Sequence, residues 1–490
     1  MSNLNSLIYF IPEVLIVLSI LSVILLGLKE SISKYIFPSL YITLTLILAI
    51  ILLSFNTSFI LFEGLIVTDS FSYLFKFIFT FCVLSILIVT HYSSEIKTDL
   101  SEYSMMLLSI LLGLYLMASS VNLLMIYLAV ELVSIPSYIL AGFNKNDKAS
   151  NEASLKYVIF GSFASGLMLF GMSLMYGLSG SLNIIDIHNA IITSANPMFI
   201  SFTLILVLVG FGYKISMAPF HYWTPDVYEG SPTPVTAFFS VAPKAAGIAL
   251  FIRFFISIFT INGELNSSGA LGLVINWSGI IAILSALTMT IGNFIALHQK
   301  SVKRMLAYSS ISHIGFILIG FTTISLESIT SILLYIIIYL FMTLPAFYMT
   351  IVVRDNTGDD SLGSWNGLAK NNSVLAAFMV ISLVSLAGLP PTAGFIGKFY
   401  LFAAVINAGP AFYWLTFFGA LNTVVSLYYY LRVVKAMYLT GEPSDVIAVP
   451  SFSMTMIFLL LAIPSVFFGI YWVPVLGWVK ESLLLFVQVL

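Results

Sequence analysis

The chain has 490 residues, 60% of them hydrophobic and only 8% charged, with a formal net charge of -2. A composition this apolar, sustained in runs along the whole length, excludes water as the main solvent and makes this a multi-pass protein of a lipid bilayer. The near-neutral balance gives no basic or acidic face for a nucleic-acid partner. The single cysteine, Cys82, excludes an internal disulfide and any cysteine cluster for zinc or iron-sulfur.

The N-terminal stretch MSNLNSLIYFIPEVLIVLSILSVILLG has no Lys or Arg before its apolar run, so it reads as a first spanning helix and not as a secretory signal. No transit-peptide composition is present. Apolar runs of about 20 residues begin near residues 7, 36, 71, 104, 121, 155, 198, 234, 271, 303, 327, 373, 412 and 453. The expected fold is therefore an all-α membrane protein of fourteen transmembrane helices.

Loop charge tests that count, because short cytoplasmic loops collect Lys and Arg. The loops after spans 1, 3, 5, 9, 11 and 13 hold Lys29, Lys34, Lys97, Lys145, Lys148, Lys300, Lys303, Arg304, Arg354, Lys370, Arg432 and Lys435, and the even-numbered loops hold none. This alternation places both termini on the outer face. The exception is the loop after span 7, which should be cytoplasmic yet carries Asp226 and Glu229 without a base. Among the other basic residues, Lys76 and Arg253 lie near span ends and Lys480 lies in the tail.

Two spans are interrupted: span 7 runs into GYKISMAPFHYWTPDVYEGSPTP and span 12 into SLAGLPPTAGFIGKFY. Proline removes a backbone donor and clashes with the preceding turn, and such backbone is tolerated at membrane depth only inside protein or beside water. The breaks are five spans apart, so a five-helix repeat has opposite topology in its two copies, the arrangement of inverted-repeat transporters. The chain then divides into helices 1–3 (residues 1–102), a first inverted repeat of helices 4–8 (103–260), a second of helices 9–13 (261–440), and helix 14 with a C-terminal tail (441–490).

Four lysines fall inside spans: Lys156, Lys214, Lys244 and Lys398, with one comparably deep carboxylate, Glu131. Unpaired at mid-membrane they would together cost roughly 10 to 14 kcal/mol. They persist by lining a hydrated path, pairing with a carboxylate, or spending time uncharged. Lys214 precedes the break at Pro219 and Lys398 follows Pro390 and Pro391; Lys244 follows Pro243 among small residues. Lys156 sits about one turn in from the loop containing Glu152, where snorkelling is the competing reading.

Burial drives a lysine down from its usual pKa of about 10.4 and an approaching carboxylate drives it back up. A row of lysines with a switchable carboxylate can therefore hand on a proton, and sodium fits such a path poorly. Glu131 is the candidate partner; a protonated carboxyl bonded to a neighbouring helix is the alternative. His221 and His313 are candidate relays, with helix packing an equal reading for each, and His298 is expected at the interface. Glu13 is open between a packing and a partner contact, as are Asp226 and Glu229 between a proton-attracting mouth and a solvated loop. Gly161 and Gly166 read as helix-packing positions. No phosphate loop, metal-ligand set or nucleophile triad is visible.

The stretches YKISMAPFHYWTPDVYEGSPTPVTAFF, KRMLAYSSISHIGF and SLAGLPPTAGFIGKFY, with the fourteen spans and two breaks, resemble the antiporter-like membrane subunits of respiratory complex I, the proton-pumping NADH:quinone oxidoreductase. The PTAGFIGKF wording, YYYLRVVKAMY and a lysine at 398 resemble the N-type members. The resemblance implies a proton-translocating, non-redox subunit of a translocase in which Glu131 partners Lys214, Lys244 is the central lysine and Lys398 serves the outlet, with Lys156 a helix 6 lysine. It also implies no cofactor or metal in this chain; FMN, iron-sulfur clusters and quinone belong to partner membrane and peripheral subunits. A subunit of a multisubunit cation/proton antiporter and a mainly structural membrane subunit are the other readings. The expected location is the cell inner membrane of a bacterium.

Overall fold

The computed structural model describes residues 3–193, 196–261, 264–265, 276–323, 325–441 and 451–489. Leaving aside the short helices Asn3–Ser6, Glu30–Ser33, Ile184–Thr193 and Leu368–Asn371, it begins with α1 (Ile11–Gly27), α2 (Ile36–Leu53), α3 (Ser70–Tyr92), α4 (Leu100–Ser119), α5 (Leu123–Ala141) and α6 (Lys148–Ser179). Next come α7 (Pro197–Ile215), α8 (Trp223–Gly230), α9 (Thr233–Phe259), α10 (Trp277–Leu297), α11 (Val302–Gly320) and α12 (Leu326–Thr357). The chain continues through α13 (Ser373–Ala387), α14 (Ala393–Asn407), α15 (Tyr413–Leu439), α16 (Phe452–Ile470) and α17 (Val473–Val489). Among the described residues, twelve helices are long and apolar enough by themselves to cross a membrane; α11 and the broken pair α13/α14 occupy the places of spans 10 and 12.

Local chemistry explains the starts. The side chains of Asp69, Asn122, Asn196, Asn276, Ser301, Ser325, Asn372 and Ser451 each accept a backbone N–H in the first turn of the helix that follows. The largest departure from expectation is span 6: Asp147 caps it, so Lys148, counted above as a loop residue, is already helical. The tail is the other departure. It folds into α17, whose Phe486 stacks on Phe71 at 4.4 Å and whose Trp478 meets Phe77 edge-on at 5.2 Å, fixing it along α3.

The two five-helix units correspond in length. α4 and α10 have 20 and 21 residues, α5 and α11 have 19 each, α6 and α12 have 32 each, and α9 and α15 have 27 each. Packing corresponds too: α4 lies on α5 as α10 lies on α11, and α6 on α7 as α12 on α13 and α14. The units meet where α9 packs on α12 and α8 on α11.

The central helices α9 and α12 are buried almost all round, and each contains a proline whose missing N–H frees a carbonyl four residues earlier. For Pro243 that carbonyl is Phe239 O, which accepts the Tyr228 hydroxyl at 2.9 Å. For Pro345 it is Phe341 O, which accepts Ser465 Oγ of α16 at 3.0 Å. Gly161 is a close-approach site, since a Cβ there would lie 2.0 Å from Tyr138 Oη. Gly166 has open space instead, so the packing reading holds for one of the two glycines.

Both breaks are closed by polar groups from protein. After α7, Ser216 takes a left-handed conformation (φ 63°), Trp223 Nε1 donates to Tyr213 O at 3.1 Å, and Ala218 N donates to Thr288 Oγ1 of α10 at 3.0 Å. After α13, Gly388 takes φ 80° and Gly394 N donates to Ser385 Oγ at 3.2 Å.

Candidate functional site

Lys398 enters from the first turns of α14 and reaches back to the end of α13, where its ammonium donates to Ala387 O at 3.0 Å and Leu386 O at 3.3 Å. These are unpaired carbonyls of a helix C-terminus, the end that carries partial negative charge. The ammonium also stands 4.5 Å from the ring centroid of Phe316 on α11. Gly388 is required twice here: by its positive φ, and because a Cβ would meet Lys398 Cδ at 2.9 Å and Nζ at 3.2 Å.

Lys244, near the middle of α9 and 1% exposed, donates to Ser310 Oγ of α11 at 2.7 Å and lies 5.3 Å from the Tyr228 ring. One turn along α11, His313 Nδ1 is 2.7 Å from Tyr335 Oη of α12 and Nε2 is 3.2 Å from Tyr430 Oη of α15. Ser310, His313 and Phe316 are three apart and share one face of α11. That face thus touches Lys244, holds the histidine, and ends at Lys398.

Lys214, in the last turn of α7, donates to Ser134 Oγ of α5 at 2.7 Å. Glu131 is one turn earlier on α5 and acts on the Lys214 charge, but the expected contact is not a direct ion pair: the hydroxyl of Ser134 takes the ammonium. One Glu131 oxygen is buried without a hydrogen bond inside the chain, although its helix face carries the exposed Leu128 and Ile135. His221 is buried in the turn between α7 and α8, its ring against Tyr222 and within reach of the Lys244 charge. His298, at the end of α10, is exposed as expected.

Lys156 corrects the list of buried lysines. Its side chain is 36% exposed and pairs with Glu152 at 2.7 Å and Asp226 at 2.6 Å. Arg304 joins the same cluster through Asp226 at 3.0 Å and through Glu229. The exception in the charge pattern is thereby explained: Asp226 and Glu229 have no base in their own loop because α6 and α11 supply one each. The snorkelling reading wins because Lys156 is only two turns from the helix start and its carboxylates wait at the rim.

Two buried ion pairs escaped the sequence. Lys76 of α3 pairs with Glu13 of α1 at 2.6 Å, both fully buried, between the rings of Tyr73 and Tyr115. Arg253 of α9 holds both Asp69 oxygens at 2.9 and 3.1 Å and donates to Ala118 O at 3.0 Å, sandwiched by Phe71 and Phe486. Both bases read as span-end residues, and their acids lie 63 and 184 positions away; the available signals were that neither base belongs to a basic loop and that Glu13 stood as a packing or partner contact, of which the ion pair with Lys76 is the outcome.

Among the described residues, then, Lys214, Lys244 and Lys398 form no ion pair with a carboxylate. Each is held by neutral acceptors: a hydroxyl, a hydroxyl with a ring, and two carbonyls with a ring. Such a lysine can lose and regain a proton without breaking an ion pair.

Residues 120–426 match the family described as NADH:quinone oxidoreductase/Mrp antiporter, TM. NADH-quinone oxidoreductase subunit N 2 of Sorangium cellulosum is 45% identical over 440 residues, covering 86% of this chain and 85% of its own. NAD(P)H-quinone oxidoreductase subunit 2 of Gloeobacter violaceus is 43% identical over 385 residues, covering 78% and 72%. Among solved structures, a chain of respiratory complex I from Thermus thermophilus superposes with a TM-score of 0.79 at 28% identity, covering 95% of this chain and 98% of that one. A chain of the Mrp complex from Dietzia sp. shares the fold, with a TM-score of 0.86 at 19% identity over 100% and 99%. The chain belongs to the NADH:quinone oxidoreductase/Mrp antiporter membrane-subunit family, as an antiporter-like subunit of the N type.

Proposed function

We propose that this proton-translocating subunit hands protons from Glu131 and Lys214, through Lys244 and His313, to Lys398, and that no redox step occurs in this chain. Electrons pass instead through FMN, iron-sulfur clusters and quinone in partner subunits. The observation that carries the reading is the set of three buried lysines held by neutral acceptors, two of them joined by one face of α11. At each site the proton leaves Nζ and a neutral amine remains; Ser134 or Ser310 can then turn its hydroxyl to donate to that amine. One proton leaves one nitrogen and arrives at the next, so no net charge accumulates on the chain. Lys214 and Lys398 each stand beside a break that protein groups close, and in this reading the units 103–260 and 261–440 each contribute one break. The face with the basic loops is taken as cytoplasmic, both termini as outer, and the membrane as a bacterial inner membrane.

The test uses the assembled oxidoreductase in proteoliposomes. Lys398→Ala and Glu131→Ala are expected to give normal complex levels with sharply reduced pumping per NADH oxidised. Full pumping in both variants would discard the relay.

A further inference from the structure

Lys303 stands in the sequence as one of the loop bases, yet it is fully buried. It enters at the second residue of α11, and its ammonium donates to Ser231 O at 2.6 Å and Glu229 O at 3.2 Å, the carbonyls at the end of α8. This is the coordination of Lys398 again: two backbone carbonyls at the C-terminal end of a half-helix beside a break, with no carboxylate in contact. Lys303 is seven residues, two turns, before Ser310, so it lies on the face of α11 that also carries Ser310 and His313, about 10 Å from Ser310 along the axis. The two lysines also touch consecutive residues of α8: Lys303 the carbonyl of Glu229, Lys244 the ring of Tyr228. Its outer neighbour, Arg304, already belongs to the half-exposed cluster with Asp226 and Glu229 at the rim.

We infer that Lys303 is a further proton-carrying lysine, the station between the rim on the basic-loop face and Lys244. This rests on the relay reading above. In each cycle the Lys303 ammonium gives one proton toward the Lys244 amine and is reprotonated from bulk water at the rim, so one proton and one positive charge move inward by two helical turns. The charged groups that bear on Lys303 are Glu95, Arg354, Asp360 and Glu229, with Arg304 adjacent. Only lysine among the bases in this set sits fully out of water and can exist as a neutral amine; arginine cannot.

That difference supplies the test. Lys303→Arg keeps N–H donors for the two carbonyls and a permanent positive charge, whereas Lys303→Met removes both. In the assembled complex in proteoliposomes, the protons pumped per NADH are expected to fall severalfold in both variants while the complex level of Lys303→Arg stays normal. Arginine restoring full pumping, or neither variant assembling, would make Lys303 a helix cap and overturn the inference. Lys244→Met is measured alongside: if it pumps normally the relay itself fails, whereas loss in Lys244→Met with full pumping in Lys303→Arg removes only the entry role.

Discussion

The two broken helices solve one problem in opposite ways. At the first, the lysine comes before the break, and Lys214 leaves its own helix end to reach a hydroxyl on α5; the α7 terminus is closed separately, by the indole of Trp223. At the second, the lysine comes after the break, and Lys398 itself closes the α13 terminus. The first site separates holding the backbone from holding the ammonium, and the second merges them. A change near Lys214 can therefore alter its charge behaviour without touching the break, while any change near Lys398 disturbs both.

That difference can be broken from the second side first. Gly388→Ala should cost about 1 to 2 kcal/mol of backbone strain and push Lys398 off its carbonyls, so pumping should fall nearly as far as in Lys398→Ala; thermal melting and pumping of the purified complex measure the two parts. Ser134→Ala is the intermediate case. It removes the Lys214 acceptor but leaves the α7 terminus closed, so thermal melting should report a loss of about 1.5 to 3 kcal/mol while pumping drops severalfold, and unchanged pumping would remove Ser134 from the path. Ser216→Gly should do least. It relieves the left-handed strain of φ 63° but loses the hydroxyl contact with Thr224 at 2.8 Å, two effects of about 1 kcal/mol each and opposite sign. Activity far from wild type there would mean that the first break is as tightly coupled to its lysine as the second.

Most of the architecture was legible because its signals are local. Apolar runs located the spans, and prolines located both breaks. The buried lysines were legible as charges in the wrong solvent. Their partners were not, because a charge's environment is set by helices distant in sequence. Lys156 looked buried and is at the rim; Lys303 looked like a loop base and is buried. Glu13 met Lys76 and Asp69 met Arg253 across gaps no window of residues can see. Even α17 was hidden, since its apolar face becomes meaningful only once α3 presents Phe71 and Phe77.

Helix α9 is gripped at both ends. At one, Glu95 accepts Thr233 N and Thr233 Oγ1, each at 2.6 Å; at the other, Arg253 is locked to Asp69 and Ala118. Lys244 sits between them, roughly 14 Å from Arg253 along the axis. A rod clamped near both ends resists sliding like a piston, so under the proposed relay the signal expected at Lys244 is a change of field or of hydration around a stationary nitrogen, and not a stroke of the helix that carries it.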